Sequence, residues 1–119
     1  MDADNVLVEI TDDDVAVVVE VFGMLADSTR VRLLWTLREG EKSVSELAEV
    51  VDKPAASVSQ HLAKLRLARL VHTRRQGTHV FYRVENTHVM RLVTDAVHHA
   101  DHLGHEVPRH HGGVRAVTG

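Results

Sequence analysis

The chain has no cysteine and, among 119 residues, only two Phe, one Trp and one Tyr. No disulfide, iron–sulfur cluster, thiolate nucleophile or thiolate metal ligand is open to it, so any metal chemistry must run on nitrogen and oxygen donors. With so few rings, the 44% of residues that are apolar have to build one modest core from Val, Leu and Ala. Long apolar runs are missing as well. The longest, Val15 to Val19, is far short of the roughly 20 residues of a membrane helix, and the amino terminus is acidic where a signal peptide would be basic. A single soluble, cytoplasmic domain is the expectation.

Basic residues are absent from the first 29 positions, which carry Asp2, Asp4, Glu9, Asp12, Asp13, Asp14, Glu20 and Asp27. The balance reverses between residues 53 and 91, where Lys53, Lys64, Arg66, Arg69, Arg74, Arg75, Arg83 and Arg91 face Glu85 alone. A formal net charge of -3 therefore hides a basic middle block. Such a gradient suits one face for a polyanion and another held away from it.

Apolar spacing then divides the chain. Thr11 and the three acids after it open a helix over about 12 to 24, with Val15, Val18, Val19, Phe22 and Leu25 at helical intervals. Asp27-Ser28-Thr29 caps a second, through Val31, Leu34, Trp35 and Leu37 to a stop at Gly40. Ser43 and Glu46 make a capping box for a short third, and Pro54 suits the first turn of a fourth whose stripe is Val58, Leu62 and Leu65. Two β-rich segments around 70 to 75 and 78 to 84, with Gln76-Gly77 as the turn, predict a hairpin. Asn86-Thr87 caps a last helix to about Leu103, where Gly104 can end it. The expected organisation is a flexible acidic segment over 1–10, the folded domain over 11–104, and a flexible His-rich tail over 105–119.

Mainly helical, with one β-hairpin, this order is that of a winged helix-turn-helix. A major groove admits one α-helix, and Ser57, Ser59, Gln60 and His61 lie on the forward turns of the fourth, where short polar groups meet base edges. Lys64, with Arg74 and Arg75 on the hairpin, is expected to meet phosphates of double-stranded operator DNA.

Four segments carry a likeness to a known family: Leu25-Ala-Asp-Ser-Thr-Arg-Val-Arg-Leu-Leu34, Val44-Ser-Glu-Leu-Ala48, Ser57-Val-Ser-Gln-His-Leu-Ala-Lys-Leu65 and Arg75-Gln-Gly-Thr-His-Val-Phe-Tyr-Arg83. Through them the chain resembles the ArsR/SmtB metal-responsive repressors. The resemblance implies a homodimer, joined through the first and last helices, that leaves its operator when metal binds. Thiolate-using members carry paired cysteines just after the Glu-Leu of the third helix. Ala48 and Val50 stand there, which removes an arsenite, cadmium or lead site of that kind.

Seven of the ten histidines lie at or beyond residue 88. His88 and His99, eleven residues apart, share a helix face but stand about 16 Å apart along the axis. Ligand nitrogens must each approach within about 2.1 Å of the ion. One chain cannot close such a site, whereas antiparallel packing of two copies brings His88 of one beside His99 and His102 of the other, giving two symmetric sites.

The family's last-helix pattern is Asp-x-His, ten residues, then His-x-x-Glu or His-x-x-His; here it reads Asn86-x-His88, ten residues, then His99-x-x-His102. Resemblance to the nickel- and cobalt-sensing branch implies a ligand set of His88, Asp101, His102, His110 and His111, with His99 added by the other pattern. Imidazole and carboxylate suit Zn, Ni and Co. A full donor set favours Ni(II) or Co(II), a smaller one tetrahedral Zn(II), and control of a metal exporter is the implied output. Two rivals are a metallohydrolase, for which no His-Glu-x-x-His segment exists, and a DNA-binding regulator that ignores metal. His61, His72 and His79 fit DNA contact or surface solvation better than ligation.

Overall fold

A computed structural model describes residues 9–106, with side chains through residue 104. Five helices and three strands follow in the order α1 (Asp12–Leu25), α2 (Ser28–Leu37), β1 (Lys42–Ser43), α3 (Val44–Val51), α4 (Ala55–Leu67), β2 (Val71–Gln76), β3 (His79–Val84) and α5 (Thr87–Glu106). The strands form one antiparallel sheet, β1-β3-β2. Strand β1 is the element that the sequence pattern does not predict: Lys42 and Ser43 pair with Tyr82 and Phe81, too short a run to show alternation.

The caps explain the helix starts. Thr11 and Asp14 exchange bonds of 3.0 and 3.3 Å, and Ser43 and Glu46 bonds of 3.2 and 2.8 Å, both reciprocal boxes that satisfy orphan amides. Asp27 Oδ1 accepts the Arg30 amide at 3.0 Å. Pro54 is the residue before α4 rather than its first turn, and no side chain caps that helix.

Both helices of the helix-turn-helix end alike. The Lys53 amide donates to the Ala48 carbonyl at 3.2 Å and the Leu70 amide to the Leu65 carbonyl at 2.9 Å, the closing bond of a Schellman motif. Asp52 (φ 56) and Arg69 (φ 60) take the left-handed position that glycine normally fills there. In the hairpin, Gln76 pairs with His79, so the turn is Gly77-Thr78, one residue later than its sequence position suggests. Gly77 alone has positive φ, 62°, as a type II′ turn requires.

Helix α5 runs on through Gly104 to Glu106, past its expected end. A glycine stops a helix by entering the left-handed region, and Gly104 is not among the positive-φ glycines.

Leu33, Leu34 and Leu37 of α2, Leu47 of α3, Val58, Leu62 and Leu65 of α4, Leu70, Val71 and Val93 form one core cluster. Its aliphatic make-up follows from the scarcity of rings. The stripe on α1 is left out: no α1 residue is buried, and Val15, Val18, Val19 and Phe22 are exposed, Val19 by 64% and Phe22 by 55%. No helix among the described residues is long and apolar enough to cross a membrane.

Candidate nucleic-acid interface and metal site

Helix α4 turns Val58, Leu62 and Leu65 into the core, which leaves Ser59, Gln60 and Lys64 exposed on the opposite face, flanked by half-buried Ser57 and His61. Those five residues are the ones singled out from the sequence. Asp52-Lys53-Pro54 joins α3 to α4, a turn of helix-turn-helix length. Because α3 and α4 both dock on α2 through buried leucines, α4's polar face is held by the core itself.

The two wing arginines differ. Arg75 is exposed opposite Val80, and no hydrogen bond or ion pair engages its side chain among the described residues. Arg74, on the other strand face, is held by Glu41: Nε donates at 3.1 Å to each carboxylate oxygen and Nη2 donates to Oε1. Nη1 of Arg74 donates to Gln76 Oε1 at 2.9 Å, and the guanidinium lies 5.0 Å from the Phe81 ring centroid. The Arg74 hydrogen bond holds the Glu41 carboxyl below its ordinary pKa, and Glu41 in turn raises that of Arg74. Arg74 thus ties the wing to the α2–β1 loop.

His61 and His72 are engaged as well. Arg30 Nε donates to His61 Nδ1 at 3.2 Å. His72 sits between Arg83, which donates to its Nε2, and Glu85, whose Oε1 is 3.3 Å from its Nδ1. Arg30 and Glu41 are functional neighbours that sequence reasoning missed. The Asp27-x-x-Arg30 spacing reads only as a cap, and Glu41 precedes Arg74 by 33 positions, with no local signal to link them.

On α5, His88, His99, Asp101 and His102 are all exposed. His88 and His99 make no hydrogen bond or ion pair in the described part of the chain, so their ring nitrogens remain available as donors. Asn86 Oδ1 accepts the Val89 amide at 3.0 Å and serves α5 as its cap. Among the described residues no three His, Asp or Glu side chains come close enough to hold one ion. His110, His111 and the expected tail from 107 onward lie outside the described residues, as do residues 1–8.

Shallow surface concavities lie among the described residues. One, of about 440 Å³, is lined by Arg38, Glu41, Arg83, Glu85, Asn86 and neighbours, and another, of about 360 Å³, by Val31, Trp35, Val50, Val51 and Val97 among others. In the first, Glu41 is bound by Arg74 and Glu85 is paired with His72.

Comparison with known proteins agrees with this geometry. Residues 27–73 match "Bacterial regulatory protein, arsR family". The chain is 64% identical over 110 residues to the HTH-type transcriptional regulator KmtR of Mycobacterium tuberculosis, covering 90% of this chain and 85% of that protein. It is 37% identical over 79 residues to the HTH-type transcriptional regulator NmtR of the same organism, 66% of each. Among solved structures, the homodimeric winged helix-turn-helix DNA-binding domain of Mb0332 from Mycobacterium bovis superimposes with a TM-score of 0.73 at 31% identity, over 88% of this chain and 100% of that one. The antimony-specific repressor AntR gives 0.75 at 29%, over 85% and 92%.

Proposed function

This chain belongs to the arsR family, the ArsR/SmtB transcriptional regulators, which bind DNA and are not enzymes, and from that premise we propose that it is a homodimeric, metal-responsive repressor. In this reading it acts in the cytoplasm and binds operator DNA. Ser57, Ser59, Gln60 and His61 of α4 face the major groove, Lys64 and Arg75 meet phosphates, and Arg74 sets the wing's position. The output is control of a metal exporter.

The effector is Ni(II) or Co(II), held by His88, His99, Asp101 and His102 together with His110 and His111. The observation that carries this reading is the pairing on one chain of an unburied valine stripe on α1 with the exposed, unengaged imidazoles of His88 and His99 along a continuous α5. The stripe calls for a second copy, and so do the imidazoles, since the rise of about 1.5 Å per residue keeps His88 and His99 too far apart to share an ion within one helix. The donor set fits the ion: neutral imidazoles and a carboxylate, with no sulfur, suit Ni, Co or Zn. Bound there, the ion supplies a cross-link between copies that favours one dimer geometry over another. Zn(II) is the second reading, supported if the α5 residues suffice without the tail.

Operator affinity measured with and without Ni(II), Co(II) and Zn(II) tests the proposal. Metal is expected to weaken binding about 5- to 150-fold, the usual range of allosteric coupling. His88→Ala and His102→Ala are expected to abolish that change while preserving apo affinity, and Co(II) absorption reports the coordination number. Equal affinities under all conditions would remove the sensing role and leave a metal-independent regulator.

A further inference from the structure

Arg30 stands in the first turn of α2, and its side chain reaches two other helices. Nη1 donates to Met24 Sδ of α1 at 3.5 Å, and Nε donates to His61 Nδ1 of α4 at 3.2 Å. A guanidinium has five N–H donors and no acceptor, and it stays protonated. A bond from Arg30 therefore requires His61 Nδ1 to be the acceptor, bare of hydrogen, which puts the ring's one proton on Nε2. The competing group is Asp27, whose Oδ1 lies 4.0 Å from the same Nδ1, beyond hydrogen-bond reach, and already accepts the Arg30 amide. Arg30, not Asp27, decides the tautomer.

The other edge of the ring is not sealed. Nε2 has no hydrogen-bond partner in the described residues, and no side-chain nitrogen or oxygen there is at once sealed from solvent and unpartnered. Nε2–H of His61, on a side chain that is 22% exposed, is thus a donor not sealed from solvent, beside Gln60 on α4.

We propose that His61 reads DNA as a hydrogen-bond donor through Nε2–H, and that Arg30 is the positioning residue that fixes this polarity. The inference rests on α4 lying in the major groove, as proposed above. An imidazole of undefined tautomer can face either a donor or an acceptor. Fixed by Arg30, it accepts only acceptor edges: purine N7, guanine O6 or thymine O4. It is mismatched against the amino groups of cytosine and adenine.

Long-range 1H–15N correlation spectra of the full wild-type chain at neutral pH read the tautomer directly, with no variant needed. The proton is expected on Nε2 of His61, and a tautomer mixture in Arg30→Gln. A duplex selected from a random pool by the wild-type chain then serves as the DNA probe. Arg30→Gln and Arg30→Lys are expected to relax base preference at the same base pair as His61→Ala, each about two- to tenfold, the range of one hydrogen bond. The double variant Arg30→Gln/His61→Ala should lose no more than the larger single one.

A ring protonated on Nδ1 in the wild-type chain overturns the proposal. So does an Arg30→Gln protein that keeps full base preference while His61→Ala loses it, or a His61→Ala loss that is uniform across sequences, the mark of a phosphate contact. Gln60→Ala and Lys64→Ala separate the two readings. If they weaken binding while the Arg30 variants change nothing, this inference alone fails, whereas DNA binding indifferent to Gln60, His61 and Lys64 together would show that α4 is not the reading helix.

Discussion

The Arg74 guanidinium is gripped by both carboxylate oxygens of Glu41, from a loop 33 positions earlier in the chain. A fork filled this way has little left for a phosphate, while Arg75, its neighbour in sequence, is unengaged. Arg75→Ala is expected to flatten the dependence of log K on log salt by about one for each bound protomer. Arg74→Ala should leave that slope near wild type and lower the thermal midpoint. Salt titrations of operator binding, paired with melting curves, check both.

Acid should weaken the fold through the same carboxylates. Hydrogen bonding to Arg74 lowers the pKa of Glu41, the Arg30 amide lowers that of Asp27, and the Ser43 amide lowers that of Glu46. A group whose folded-state pKa is depressed contributes stability above its unfolded value and loses it as pH falls through the folded one. Denaturant midpoints are expected to show no carboxylate contribution to pH dependence from pH 7 to about 5 and to fall below about pH 4. Glu41→Gln should soften the fall, and a midpoint that rises on acidification would contradict the assignment.

Arg69 occupies a position where a Cβ is unwelcome, at φ 60. Arg69→Gly is expected to raise unfolding free energy by up to about 1 kcal/mol, the relieved left-handed strain being partly offset by greater freedom of the unfolded chain. Urea denaturation measures it.

Phe22 and Val19 are exposed by 55% and 64% on a helix that buries none of its residues. Phe22→Glu is expected to halve the mass measured by light scattering while the far-ultraviolet dichroism stays unchanged, since the intrachain core does not include this face.

Asn86 caps α5 through the bond its Oδ1 accepts from the Val89 amide, and a cap of this kind is expected to leave metal binding to the histidines. Asn86→Ala should cost about 1 kcal/mol of stability, the usual value of an N-cap, with Ni(II) affinity nearly unaltered. Asn86→Asp should keep the stability. A large loss of metal affinity in the alanine variant would make Asn86 a ligand after all.

Much of this was legible in the sequence because the signals are local. Ser43 with Glu46, Val58 with Leu62 and Leu65, and Asn86 three residues before Val89 each announce an element within one turn of chain. Strand β1 was not, since two residues carry no period. The end of α5 was missed because glycine permits a left-handed exit without compelling one. At the candidate interface, the residues facing outward on α4 were found by periodicity, but the partners that hold its side chains were not. Arg30 reaches His61 across 31 positions and Glu41 reaches Arg74 across 33, and such pairings appear only once the helices are docked.

The Schellman closure at Arg69 leads straight into β2, with Leu70 sealed against the same core as Leu65. The junction between the helix that would enter the groove and the hairpin beside it is therefore packed, and the two are expected to move as one lever. In the proposed switch, a signal from the α5 end is then expected to tilt that lever as a whole, and release to come as an all-or-none loss of fit across the operator instead of a stepwise unfastening of wing and then helix.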